Sequence, residues 1–163
     1  MPHVEFDHIS SEARLWVFAT ERSLSDGERA RIVEEVDAFI DQWVAHDVPL
    51  TSARDLRYDQ FIFVAVDERA AGASGCSIDA LVRRMKALQV ELGMELVNHS
   101  PVLYRDGSGI SRVSRERFTD LVGAGKVDKE TVVFDNTVAT VGSVREGRWE
   151  LPAIESWHGA AFF

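Results

Sequence analysis

An alternation of short apolar runs with two long amphipathic segments constrains this chain more than any other feature of its sequence. The runs Leu15–Ala19 and Phe61–Val66 are continuously apolar, which is typical of central strands that are buried on both faces. A more polar segment at residues 50–58 predicts a strand near a sheet edge, and Val102–Tyr104 predicts a fourth strand. Between these runs the hydrophobic period changes to that of a helix, so we expect helical connections.

The first amphipathic segment carries both a helix-start signal and an apolar stripe. Ser25 and Glu28 form a capping box, in which each side chain satisfies a free backbone amide at the helix start. The spacing predicts a helix from Asp26 to about Ala45, and Pro49 closes the following turn. The apolar residues on one face of this helix are Ile32, Val36, Phe39, Ile40, Trp43 and Val44.

The second amphipathic segment predicts a helix that begins at about Ile78. Ser77 is the expected N-cap, because a serine side chain accepts a hydrogen bond from a free amide of the first turn. Gly93 is the expected terminator, since glycine readily adopts the left-handed conformation that ends many helices. The apolar face of this helix contains Ile78, Leu81, Val82, Met85, Leu88 and Leu92.

The resulting element order is β-α-β-β-α-β, which is the order of the ferredoxin-like fold. We therefore expect an α+β protein whose core, residues 1–106, holds one antiparallel four-stranded sheet with both helices on one face. A mixed α/β layer with another strand order is the alternative. Residues 107–163 are predicted to form a small C-terminal extension packed on the core, with a helix after Ser114 and strands at Val132–Phe134 and Thr137–Val141.

Composition narrows the class of partner and the compartment. The chain has 163 residues, with 18 Lys plus Arg against 27 Asp plus Glu and a formal net charge of −9. An acidic surface argues against broad binding to nucleic acid or to an anionic membrane, because both need basic residues. The N-terminus lacks the pattern of a signal peptide. A single cysteine, Cys76, cannot form an internal disulfide, so a cytoplasmic location is expected.

The loop before the second predicted helix is the leading candidate for a ligand-binding site. Glycines allow close backbone approach by a ligand, and free amides at a helix start favour an anion. The alternative is that small residues only let the helix pack closely on the sheet, and that the carboxylate of Asp79 repels an anion. The residues of this candidate site are Gly72, Ser74, Gly75, Cys76, Ser77 and Asp79.

Cys76 is also a candidate catalytic nucleophile. The positive end of a helix favours the reactive thiolate form of a cysteine. Among the five histidines, His99 is the first choice as its general base, because it precedes a strand whose end is expected near the loop. The alternative is that Cys76 is a small hydrophobic residue without a chemical role.

Several motifs that would name a reaction are absent or incomplete. The segment LSDGE at residues 24–28 is similar to the signature motif of ABC transporter ATPases, but the chain has no G-x-x-x-x-G-K-[ST] phosphate loop. ATP hydrolysis is therefore rejected, because phosphoryl transfer needs a phosphate cradle together with metal ligands. One cysteine cannot build a cysteine-based zinc site, and neither a metal nor a cofactor is expected. Asp67 and Glu68, at a predicted strand end, are candidate metal ligands or bases, with solvated turn residues as the alternative.

Five short stretches, spread over nearly the whole chain, resemble those of a family of small uncharacterised bacterial proteins. They are RLWVF (14–18), AGASGCSID (71–79), YRDG (104–107), VFDN (133–136) and ESWH (155–158). The resemblance is most specific at Gly72–Asp79. Some members carry the label ABC transporter ATPase, which the missing phosphate loop does not support in this chain. The resemblance implies no particular activity, substrate or catalytic residue.

Three hypotheses about function follow from the sequence. The first is a cytosolic protein that binds a small ligand, with an anion as one option, or a partner at Gly72–Asp79. The second is a thiol-dependent enzyme that uses Cys76. The third is a structural or assembly protein that forms a symmetric homodimer.

Overall fold

The computed structural model describes residues 3–69 and 71–163 of the chain and divides the protein into two units. The first unit contains Met1–Val97 and Ala139–Gly142, and the second contains Asn98–Val138 and Ser143–Phe163. The elements of the first unit, in chain order, are β1 (Arg14–Ala19), α1 (Asp26–Asp41), β2 (Val44–Ala45), β3 (Val48–Pro49), β4 (Thr51–Arg57), β5 (Phe61–Asp67) and α2 (Gly75–Leu92).

The main sheet of the first unit has three antiparallel strands in the order β1-β5-β4. Its register places Trp16 opposite Val64 and Phe18 opposite Ile62, so these four side chains share one face. Both helices pack on this face. Their buried apolar residues join Phe18 and Ile62 in one core, and the helical members are Ile32, Val36, Ile40, Leu81, Met85 and Leu88.

The prediction of one four-stranded ferredoxin-like sheet is wrong, because the fourth predicted strand belongs to another sheet. Strand β6 (Val102–Asp106) pairs with strands of the second unit. On the free side of β1, the Leu15 amide donates to the Ala139 carbonyl at 2.9 Å, and Arg14 bridges Thr140. The backbone groups at this end of β1 therefore find partners in residues 139–142, which is how an edge strand is blunted.

Both predicted helices exist, but their ends differ from the sequence prediction. Helix α1 begins after the predicted capping box and ends at Asp41, four residues before Ala45. The residues that follow form the β2–β3 hairpin, in which Val44 pairs with Pro49. Helix α2 begins at Gly75, three residues before Ile78, and ends at Gly93 in the left-handed conformation as predicted.

The second unit is built around a four-stranded antiparallel sheet in the order β7-β6-β8-β9. Its core surrounds the fully buried ring of Phe118. The predicted strand at Val132–Phe134 is confirmed, whereas Thr137–Val141 contributes only the bridge at Thr140. The remaining elements of the chain are β6 (Val102–Asp106), β7 (Gly109–Val113), α3 (Arg115–Gly123), β8 (Val132–Phe134), α4 (Val141–Arg145), β9 (Glu150–Pro152) and α5 (Trp157–Phe162).

The α+β class is confirmed, since antiparallel sheets and separate helices make up both units. In the described part of the chain, every helix is too short or too polar to span a lipid bilayer.

Candidate functional site

The predicted loop site forms the start of helix α2 rather than a free loop. Ser74, not Ser77, is the N-cap, and its hydroxyl accepts a hydrogen bond from the Ser77 amide at 3.1 Å. The Ser74 carbonyl accepts from the Ser77 hydroxyl at 2.8 Å and from the Ile78 amide at 3.0 Å. The helix begins earlier than predicted because Ser74 satisfies an amide of the first turn, and this leaves Ser77 inside the helix.

The two glycines of this segment have different surroundings. A Cβ atom on Gly72 would lie 3.2 Å from the Glu68 carboxylate, which accepts a hydrogen bond from the Ala73 amide at 3.0 Å. The group that comes close to the backbone at Gly72 is therefore the Glu68 side chain, where the sequence predicted a ligand. A Cβ atom on Gly75 would meet nothing within 4 Å, so no close contact requires glycine there.

The first turn of α2 forms one wall of a groove with a volume of about 470 Å³, which we call the α1–α2 groove. Of the predicted site residues, Ser74, Cys76 and Ser77 line it, whereas Gly72, Gly75 and Asp79 do not. The other lining residues come from the end of α1, from the β2–β3 hairpin and from the part of α2 that follows its first turn. They are Ala38, Phe39, Gln42, Trp43, Val44, His46, Ala80 and Arg84.

Aromatic side chains form the opposite wall of the α1–α2 groove. The rings of Phe39 and Trp43 lie 5.3 Å apart, and the edge of Trp43 meets the ring of Trp16 at 6.0 Å. The buried indole Nε1 of Trp43 donates to the Ser77 carbonyl at 2.9 Å. This hydrogen bond connects the chain after α1 directly to the first turn of α2.

Arg84 supplies the positive charge of the groove. One of its terminal nitrogens, Nη1, donates to the Glu35 carboxylate, and its guanidinium carbon lies 5.7 Å from the centre of the Phe39 ring. Glu35 also accepts from Arg31 at 2.8 Å. Arg84 and Arg31 together hold the pKa of Glu35 below its ordinary value. Because an arginine has five N–H donors and Arg84 uses only Nη1 toward a described residue, donors remain for a ligand.

A histidine also lines the groove, but it is His46 rather than His99. His46 and Asp47 form the two-residue turn of the β2–β3 hairpin, with φ of 50° and 65°. Two positive φ angles are typical of the tight turns that match strand twist, although such turns usually hold asparagine and glycine. His46 is therefore part of a strained turn that follows α1, which ends at Asp41. His99 is an exposed residue of the second unit.

The charge of the groove differs from the charge of the chain. The described residues that line it include Arg84, His46 and Cys76, whose thiol is free and exposed, but no aspartate and no glutamate. The amides of Gly75 and Cys76 donate to no described residue, because the N-cap serves the following amide. The lining of the groove therefore offers hydrogen-bond donors and contains no carboxylate, in a protein with a net charge of −9.

The carboxylates at the end of β5 have partners within the chain. Asp67 is bonded to Arg69, with Nη2 at 2.6 Å from the carboxylate, and Arg69 lowers the pKa of Asp67. Glu68 accepts from the Ala73 amide. Among residues 3–69 and 71–163, no three His, Cys, Asp or Glu side chains come together as a metal site would require.

A second polar cluster, which sequence reasoning missed, lies in the second unit. The Ser156 hydroxyl oxygen is 2.7 Å from Nδ1 of His158, and Ser156 also caps α5. Burial lowers the pKa of His158 to about 4, so its imidazole is a weak base. Ser156 and Trp157 line a groove of about 550 Å³, the second-unit groove, whose carboxylates are Asp135, Glu146, Glu150 and Glu155. The stretches VFDN and ESWH were the available signal, because they contribute Asp135 and Ser156 to this groove.

Comparison with protein-family models, with curated proteins and with solved structures finds no match for this chain. The resemblance to a family of small bacterial proteins therefore stays a prediction.

Proposed function

We propose that the protein binds a small organic ligand in the α1–α2 groove. The observation that carries this proposal is the combination of a cavity of about 470 Å³ with an aromatic wall and a few polar groups on the facing wall. Its volume lies in the range of about 300–1,000 Å³ that is usual for small-molecule sites. Mostly apolar walls with a few well-placed polar groups are the general character of such sites.

The walls of the groove are held in place before any ligand arrives. The hydrogen bond from Trp43 to Ser77 connects the two walls near the start of α2, and the ion pair between Arg84 and Glu35 connects the two helices further along. A preformed cavity supports binding because less conformational freedom is lost when the ligand enters.

Filling the groove tests the proposal. A set of neutral, anionic and cationic aromatic fragments is titrated into the labelled full chain, and backbone amide shifts are followed by NMR. We expect binding fragments to shift the amides of Phe39–His46 and of the first turn of α2. Ala80→Leu places a larger side chain in the groove and should abolish these shifts, because Ala80 is a lining residue.

Ala87→Leu is the matched control, since Ala87 is exposed on the same helix and does not line the groove. It should leave the shifts unchanged. If no fragment perturbs the groove amides, or if both variants lose the shifts equally, the proposal is wrong.

Thiol chemistry at Cys76 is the second candidate function. The observation that favours it is that a free, exposed thiol and the imidazole of His46 line the same groove. In such a site the imidazole takes the thiol proton, and the thiolate adds to the carbon of a substrate carbonyl group, whose π electron pair moves onto the carbonyl oxygen. The native protein should then react with iodoacetamide faster than the unfolded chain at neutral pH, and His46→Gln should remove that advantage. Equal rates for the folded and unfolded chain would leave ligand binding as the only role of the groove.

We also propose a cytoplasmic location and a homodimeric assembly. A cytoplasmic location is supported by the lone thiol, which has no second cysteine in the chain to pair with. A homodimer is a further proposal for which light scattering at cellular concentration is the direct measurement.

A further inference from the structure

We infer that the α1–α2 groove selects ligands that carry an oxyanion, a carboxylate or a phosphate, on a flat apolar body. This inference rests on the proposed function and names the ligand class of the same site. Arg84 is assigned the role of holding the oxyanion, and the wall at Phe39 is assigned the contact with the apolar body.

The charge of the lining residues supports an anion over a cation. The chain has 27 Asp plus Glu against 18 Lys plus Arg, yet the described lining contains one arginine, one histidine and no carboxylate. An ammonium ligand would find no carboxylate among the lining residues, whereas a carboxylate would meet the guanidinium of Arg84, which Glu35 contacts through Nη1 alone. The helix start on the same side adds positive potential of the same sign.

The geometry of Arg84 leaves room for such a contact. Glu35 receives Nη1 of Arg84 and is shared with Arg31, so the guanidinium is held in position without being fully occupied. Its Nε and Nη2 groups bond no described residue. Two parallel N–H donors on one planar group match the two oxygens of a carboxylate or phosphate.

The aromatic wall supports a flat apolar body next to that anion. Arg84 stacks over the Phe39 ring at 5.7 Å, so the positive charge and the partly exposed aromatic surface lie side by side. A ligand with a ring one or two bonds away from its oxyanion can contact both groups at once. A bare inorganic anion would use only the first of them.

Four probes of similar size and different charge test the inference: benzoate, phenyl phosphate, neutral benzamide and cationic benzylamine, with inorganic phosphate as the probe without a ring. Dissociation constants are measured by NMR titration of the groove amides in the full chain. We expect benzoate or phenyl phosphate to bind at least about tenfold more tightly than benzamide and benzylamine, because a charge-assisted contact of ordinary strength is worth that factor or more. Whichever of the two anions binds more tightly identifies the source as carboxylate or phosphate.

Three arginine variants locate the effect. Arg84→Gln should reduce the preference for the anion to less than about threefold, because only long-range charge effects then remain. Arg83→Gln removes the same charge from the neighbouring position, where Arg83 is exposed and outside the groove, and should keep the preference. Arg84→Lys, which keeps the charge but loses the planar fork, should give an intermediate value.

Each failure has its own meaning. Equal binding of benzamide, benzylamine and benzoate overturns the anion assignment but leaves the groove as a binding site. Equal losses in Arg83→Gln and Arg84→Gln overturn the role of Arg84. Inorganic phosphate that binds as tightly as phenyl phosphate overturns the apolar body, and the absence of groove shifts with every probe overturns the proposed function itself.

Discussion

The two grooves of this protein are opposite in chemistry although they have similar volumes, about 470 and 550 Å³. The α1–α2 groove has an arginine, a histidine and a thiol, and its described lining lacks carboxylates. The second-unit groove has four carboxylates and one arginine, Arg148, which lies 3.3 Å from Glu146. The second-unit groove therefore has the acidic character expected of a chain with a net charge of −9. The α1–α2 groove departs from that character, which is why its lining indicates the charge of a ligand.

The polar groups of the two regions are also satisfied to different degrees. In the first unit the buried indole N–H of Trp43 has a partner, the Ser77 carbonyl. In the second unit the buried indole N–H of Trp157 has no partner among the described residues. Because an unpaired buried donor costs free energy while a paired one stabilises, the same substitution should have different effects in the two units.

Removing the central aromatic ring of each region should give the largest effects. Phe118 is fully buried in the second unit, and Phe118→Ala should lower the free energy of unfolding by about 3–5 kcal/mol through lost burial and a cavity. Phe39 is only partly buried at the groove wall, and Phe39→Ala should cost less than half of that. Urea denaturation of both variants measures the difference. Equal losses would mean that the groove wall is ordinary core.

A pH titration of stability should report His158. Burial lowers the pKa of its folded form to about 4 from 6.5, so the unfolded chain binds more protons between these values. Stability should therefore be full above about pH 6.5 and fall as the pH drops toward 4, by up to about 3 kcal/mol at 1.36 kcal/mol per unit. His158→Gln should flatten this part of the curve, whereas His8→Gln, at an exposed position, should not. An unchanged slope in His158→Gln would contradict the assignment.

The two tryptophans allow a matched comparison of hydrogen bonding. Trp43→Phe keeps an aromatic ring but removes the hydrogen bond to the Ser77 carbonyl and part of the buried indole, which should cost about 1–3 kcal/mol. Trp157→Phe removes a donor that has no described partner and should be close to neutral. Equilibrium unfolding of both variants is the measurement, and a larger loss in Trp157→Phe would show that its N–H has a partner in solution.

Two glycine variants should have effects of opposite sign. A Cβ atom on Gly159 would lie 2.9 Å from the Ala153 carbonyl oxygen, so Gly159→Ala should destabilise by about 1–3 kcal/mol. Gly75 has open space and a helical conformation, so Gly75→Ala should stabilise by about 0.4–1 kcal/mol through a less flexible unfolded chain. If both variants shift the melting temperature in the same direction, the space described around one of the two glycines is wrong.

The helices and strands of the first unit were predictable because their signals are local. The capping box at Ser25 and Glu28, the left-handed Gly93 and the apolar run of β5 all appear where the sequence pattern placed them. Each of these depends on residues within one or two helical turns of each other, or on a continuous apolar run within one strand. The start of α2 was misplaced by three residues since both Ser74 and Ser77 have the side chain of an N-cap.

The candidate site was predictable in part. Ser74, Cys76 and Ser77 were recognised from a segment rich in small residues, and they do line the groove. Phe39 and Trp43 were read only as members of a helical core stripe, and Arg84 carried no signal in the sequence. Their role depends on α1 and α2 lying side by side, which no single segment specifies.

The sheet membership of β6 shows where local information ends. Its apolar run predicted a strand, and it is one, but its partners are β7 and β8 rather than the strands of the first unit's sheet. Any strand with open edges offers the same backbone donors and acceptors, so hydrogen bonding alone does not choose the partner. The periodicity of burial and the helix caps depend on residues that are neighbours along the chain. The amino-acid sequence therefore determines them directly. Strand partners and the walls of the groove depend on which distant surfaces bury each other best, and only the folded structure decides that.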